Sequence, residues 1–93
     1  MMRKETLESA LKCVCGEREQ DYGTPEDSFG KISALWSVYT GYDYTPKDVA
    51  LMMALLKIAR AAHSNNVDNY VDLAGYAACA AEVESSYNPA VTD

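Results

Sequence analysis

Apolar positions recur along this chain at helical spacing, and no stretch alternates as a β-strand requires. Between Thr6 and Cys15, the residues Leu7, Ala10, Leu11 and Val14 follow i, i+3, i+4, i+7, the stripe of an amphipathic helix. The polar stretch Gly16 to Asp21 can extend it until Tyr22-Gly23 breaks it. Thr24-Pro25-Glu26-Asp27 then starts a second helix. Threonine caps, proline fills the first turn where no N–H is needed, and the aspartate three residues after the cap can reach back. This helix is expected to carry Phe29, Ile32, Leu35, Trp36 and Tyr39 inward and to stop at Gly41.

The same device recurs at Thr45-Pro46-Lys47-Asp48, with Tyr44 and Val49 placed for a hydrophobic staple. The third helix, from Pro46 to about Ser64, is apolar at nearly every angle around its axis. Between Val49 and Ala62 it holds only two charges, Lys57 and Arg60. That is the signature of a helix surrounded by protein, and it marks this helix as the central element. A fourth helix, capped by Asn66 or Asp68, is predicted to run to about Ser85 with Ala74, Ala77, Ala78, Ala81 and Val83 as its packing side. The alanines and Gly75 would admit a neighbouring backbone closely. The prediction is an all-α, compact bundle of three to four helices forming one domain over residues 1–85, with a loose tail over 86–93.

Composition narrows what such a bundle does. The chain has 93 residues, 48% of them hydrophobic and 24% charged, a composition that folds. Fourteen acidic residues against eight basic ones leave a net charge of −6, which argues against a nucleic-acid polymer as partner. No apolar run reaches the roughly 18 residues of a membrane span, and the N-terminus lacks a secretory pattern, so the expected place is the cytoplasm with no membrane contact. The three cysteines, Cys13, Cys15 and Cys79, form no metal-binding pair and read as small buried hydrophobes. A chain this short buries only roughly 60–65% of its unfolded surface, so an apolar sequence is expected to complete its core as a homo-oligomer.

The sharpest chemical feature is a pair of cations followed by a pair of acids on the next helix. Lys57 and Arg60, three apart, share a face; Asp68 and Asp72, four apart, share another, with Tyr76 one turn further. Cations in an apolar helix need an anion. Either the two aspartates satisfy both in a structural network, or a phosphate-bearing ligand completes the set, with Arg60 as a bidentate fork and Lys57 as a point charge. His63 reads as a surface residue at a helix C-terminus, Trp36 as core, and the tyrosines 22, 39, 42 and 44 as loop lids. Tyr22 is the best placed of these to stack on a base.

Several blocks of the chain carry a resemblance: Arg18-x-x-Asp21-Tyr22-Gly23, Leu35-Trp36-Ser37, Asp48-Val49-Ala50, Lys57-Ile58-Ala59-Arg60, and Asp68 with Val71-Asp72-Leu73-Ala74-Gly75-Tyr76. On these the chain resembles a small helical domain family, common in phages, that carries a function-unknown label. Its skeleton is also similar to nucleotide-modification-associated domain 1, linked to phage nucleotide metabolism. More distantly it is similar to the MazG-type all-α nucleoside triphosphate pyrophosphohydrolases, which oligomerise and hold Mg²⁺ with acids in E-E-x-x-E and E-x-x-D patterns. This sequence departs from that pattern, having no acid after Asp48 in the third helix and Asp68-x-x-x-Asp72 in the fourth.

The resemblance implies nucleotides. The resulting expectation is a phage-type protein that binds and sequesters a small phosphorylated nucleotide, such as a cyclic signalling nucleotide of host defence, through Tyr22, Lys57, Arg60, Asp68, Asp72 and Tyr76. It includes no catalytic residue, no metal ligand and no cofactor. The alternatives are a Mg²⁺-dependent pyrophosphohydrolase, in which Mg²⁺ would join the site, and a structural or protein-interaction module.

Overall fold

Gly23 and Gly41, both at φ 83°, end the first two helical runs in a backbone conformation that a Cβ makes costly. The Gly41 N–H donates to the Ser37 carbonyl at 2.9 Å, and the Gly23 N–H to that of Glu19 at 2.9 Å. Around these stops the computed structural model describes residues 1–87, with side chains for 1–16 and 19–84. The helices are α1 (Arg3–Lys12), α2 (Arg18–Tyr22), α3 (Pro25–Thr40), α4 (Pro46–His63) and α5 (Asp68–Tyr87). A π-helical turn over Cys13–Glu17 joins α1 to α2, so the chain makes four helical stretches. Among the described residues there is no strand, and no helix is long and apolar enough to cross a membrane. The tail expected over 86–93 lies, from residue 88 onward, outside the described residues.

Both threonine-proline starts form. Thr24 Oγ1 accepts from the Asp27 N–H at 3.4 Å. At α4 the box is reciprocal: Thr45 Oγ1 accepts from the Asp48 N–H at 3.1 Å, and Asp48 Oδ2 accepts from the Thr45 N–H at 2.9 Å. Asn66 rather than Asp68 caps α5, its Oδ1 accepting from the Asp68 N–H at 3.0 Å.

α4 and α5 form the main layer, and two ion pairs fix their direction. Lys57 Nζ meets Asp72 Oδ2 at 2.9 Å, and Lys47 Nζ meets Glu84 Oε1 at 2.8 Å. One number falls as the other rises, so the helices run antiparallel. Hydrogen bonding to Glu84 raises the Lys47 pKa above its ordinary 10.5. α3 packs across α4 and α5, and α1 lies on α5. The core comprises Phe29, Val49, Ala50, Ala54, Tyr76, Cys79, Ala80 and Val83, with the Phe29 and Tyr76 rings tilted at 6.1 Å.

Several inward faces differ from those the sequence predicts. On α3, Phe29, Ile32 and Trp36 turn in with Ser33, while Leu35 and Tyr39 are exposed. The buried serine suits its place because its hydroxyl donates to the Gly30 carbonyl at 2.9 Å. Ser37 in turn donates to Ser33 O and accepts from the Tyr44 N–H, which brings the Tyr44 ring edge-on to Trp36. On α5 the packing side is Val71, Gly75, Tyr76, Cys79, Ala80 and Val83. Ala77, Ala78 and Ala81 face out, because turning the larger groups inward removes more apolar surface from water.

The N-terminal run departs similarly. Leu7 and Leu11 are exposed although Ala10 is buried. Cys13 and Cys15 are exposed rather than buried, since the π-turn holds them outside the core; only Cys79 lies within. α4 is covered on the side of Val49, Ala50 and Ala54 and open on the other, so within one chain it is not surrounded by protein.

Candidate functional site

Lys57 stands on the side of α4 that faces α5, and Asp72 reaches it from the second turn of α5. Their side chains are 13% and 34% exposed, so the pair sits at the edge of the interior rather than in water. Arg60, one turn further along α4, is exposed, and among the described residues no carboxylate lies within ion-pair distance of it. The two cations the sequence placed together therefore differ. One is neutralised locally, and the other is free to meet an anion.

Lys57, Arg60 and His63 follow at intervals of three and fan across the C-terminal end of α4. With Ala59, Ser64, Asn66 and Asn69 they line an open groove of about 460 Å³ between that end and the start of α5. Arg60 and His63 also complement the negative end of the α4 dipole, which is a reason for their placement independent of any ligand. The connection is ordered by its own bonds. The Ser64 N–H donates to the Arg60 carbonyl at 3.0 Å, and buried Asn69 donates through Nδ2 to Ser64 Oγ at 3.4 Å. The groove thus offers two cations, a histidine and two amides, one of the cations being paired with Asp72. Such a set suits phosphate together with the hydrogen-bonding edge of a sugar or base.

The other expected site residues lie elsewhere. Tyr76 is buried against Phe29 and, with Asp72, Gly75, Val14 and Cys79, walls a cavity of about 10 Å³, no larger than one water needs. Tyr22 is exposed at the rim of a different crevice, beside Glu19, Pro25 and Phe29. Asp68 is exposed in the first turn of α5. The structure accordingly brings Lys57 to Asp72, Lys57 to Arg60, and Asp72 to Tyr76; Asp68, one turn before Asp72, does not line the groove, and Tyr22 lines a different crevice. Among the described residues no three His, Cys, Asp or Glu side chains converge as a metal-ligand set. Another open depression, of about 560 Å³, lies by Ser9, Leu11, Lys12, Cys13, Cys15 and Gly16 and has one cation.

Sequence reasoning did not assign His63, Ser64, Asn66 and Asn69 to the site. Their one signal was the run His63-Ser64-Asn65-Asn66 directly after the K-x-x-R turn, three residues before Asn69.

Residues 5–84 match the family model described as Domain of unknown function (DUF6378). The chain belongs to this family. The match contains every residue of the groove. This DUF6378 domain is similar to the Gene 55 protein of Mycobacterium phage L5, with 45% identity over 73 residues, covering 76% of this chain and 47% of that protein. It is similar also to the Gene 55 protein of Mycobacterium phage D29, with 39% identity over 79 residues, covering 84% of this chain and 52% of that one. The chain thus spans about half the length of these curated relatives. No solved structure matches the DUF6378 chain. The resemblance to a phage family of unknown function is thereby established.

Proposed function

We propose that this DUF6378 domain binds a small phosphorylated nucleotide in the groove at the C-terminal end of α4. The observation that carries the proposal is Arg60, exposed beside Lys57 and His63 with no carboxylate partner among the described residues. An overall acidic chain, at −6, gathers Lys57, Arg60 and His63 around one concavity, and with Lys57 paired to Asp72 it is Arg60 that offers its charge to an anion. Arg60 forks onto the phosphate, Lys57 adds charge while Asp72 fixes its position, and His63 strengthens the site when protonated. Asn66 and Asn69 supply amides for a ribose or base.

The donor set favours holding over turnover. Of the side chains lining the groove, none is a nucleophile paired with a base, and Ser64 is engaged as the acceptor for Asn69. Within a phage family, retention of an intact nucleotide suits removal of a cyclic signalling nucleotide made by host defence.

The test is a thermal-shift screen of the full chain against mono-, tri- and cyclic nucleotides, with and without Mg²⁺. The expected result is a rise of several degrees with one nucleotide class, absent in Arg60→Ala, with the ligand recovered unchanged after denaturation. A uniformly flat screen would overturn the reading. Recovery of a cleaved nucleotide would replace it with the pyrophosphohydrolase alternative.

A further inference from the structure

The open side of α4 presents an apolar row that none of the described residues covers. Leu51, Leu55 and Ile58 are 43%, 62% and 49% exposed, with Met52 and Leu56 beside them and exposed Ala62 continuing the row. The steps 51, 55, 58, 62 alternate four and three, the spacing by which one helix seats another along a seam. Among the described residues that seam has no partner helix. These five large side chains and Ala62 leave on the order of 500 Å² of apolar surface in water, as much as the largest patch on a typical monomer, the kind that often marks a binding face.

The geometry points to a second copy of this chain as the occupant, its α4 packed antiparallel to the first across a twofold axis. The 4-3-4 spacing of the seam is the same from either end, so two antiparallel copies bring its positions into register about a twofold axis. An opposed copy sets Leu51 against the partner's Ala62 and Leu55 against the partner's Ile58, so large meets small at the ends and the middle is matched. A parallel copy would instead stack leucine on leucine at one end and face two alanines across a void at the other. Volume matching of this kind selects the antiparallel order.

Charge agrees with that order. The ionisable residues of α4 are Lys47, Asp48, Lys57, Arg60 and His63. Lys47 and Lys57 are held by carboxylates of α5, and Arg60 and His63 line the groove, so the seam between Asp48 and His63 is free of charge. Antiparallel pairing brings the partner's Asp48 to within about one turn of His63, and sets each positive helix end beside a negative one. Joining two such faces removes about 1,000 Å² from water in total, the size at which specific interfaces begin. The apolar row carries this assignment without the nucleotide, although the partner's Asp48 would approach the rim of the groove at His63.

Sedimentation velocity on the full chain, from low to high micromolar concentration, tests the proposal. A dimer is expected, and Leu55→Glu should weaken it at least about 100-fold by placing two carboxylates in the dry seam, with helicity by circular dichroism retained. In a Cys13→Ser, Cys15→Ser background, Leu51→Cys with Ala62→Cys should give a disulfide-linked dimer on oxidation, and Ala62→Cys alone should not. A wild-type chain that stays monomeric, a Leu55→Glu chain that dimerises as wild type, or cross-linking through Ala62→Cys alone would each overturn it. If Leu55→Glu fails to fold, the wild-type sedimentation and the cysteine pair still decide.

Discussion

Lys57 and Arg60 are three residues apart on one helix, yet their surroundings make them chemically unlike. Lys57 loses most of its water and pairs with Asp72 at 2.9 Å; Arg60 keeps its water and has no such anchor among the described residues. Stability and binding should therefore separate. Asp72→Asn strands a mostly buried ammonium, and a loss of about 1–2 kcal/mol is expected, between the values for surface and for buried pairs. Arg60→Ala should stay within about 0.5 kcal/mol of wild type, as exposed substitutions do. Urea denaturation of both variants gives the ranking, and a larger loss for Arg60→Ala would contradict the geometry described. Gly75 makes a different demand, since a Cβ there would lie 3.0 Å from Val14 Cγ1. Alanine gains about 1 kcal/mol of helix propensity but meets overpacking of about 1–3 kcal/mol. Gly75→Ala should thus be net destabilising, and a Val14→Ala background should remove the penalty, read as coupling in a double-mutant cycle.

At the scale of elements, the Lys47–Glu84 pair clips the start of α4 to the far end of α5, and its sign with pH is fixed. The lysine pKa is raised in the folded chain, so the contribution is complete below the ordinary 10.5 and fades as pH climbs through the raised value. The difference in melting temperature between wild type and Glu84→Gln should hold from neutral pH to about 10.5 and then shrink; a difference unchanged at higher pH would refute the assignment. Helix starts and stops were legible in the sequence because they are local: Thr24, Thr45 and Asn66 accept from N–H groups two or three residues away, and Gly41 needs only its own dihedral. Which face turned inward was less legible. The row through Leu35 and Tyr39 competed with one through Ser33, and only the bond from Ser33 to the Gly30 carbonyl reveals why a serine suits the interior. The Lys57–Asp72 half of the site followed from spacing across an antiparallel pair. His63 and Asn69 did not, because they meet only once the turn between α4 and α5 is built.

For the whole molecule, the balance of inside and outside is the governing fact. Among the described residues the buried apolar side chains larger than alanine or cysteine are Phe29, Val49, Val71, Tyr76 and Val83, a thin interior for four helical stretches, while the α4 seam stays open. Stability should then depend on how many copies are present. The melting temperature of the wild-type chain should climb with protein concentration, as it does when folding and association are linked, and that of Leu55→Glu should not. A wild-type transition fixed across a wide concentration range would mean that the thin interior suffices by itself.

The π-turn over Cys13–Glu17 has a bearing on chain length. Such a turn accommodates one residue more than the α-helical path between the same flanks, so it behaves as slack in an otherwise stiff rod. Trimming a single residue there takes up the slack and leaves both flanks facing as before. Trimming one inside α3 has no such slack to draw on, and everything upstream in that helix swings by about 100°, carrying Phe29 out of its buried position. Deletion of Cys15 should accordingly preserve a cooperative melt by circular dichroism where deletion of Ala34 does not. Kin of this domain that vary in length by one residue have, in this turn, a place to do so without rotating their faces.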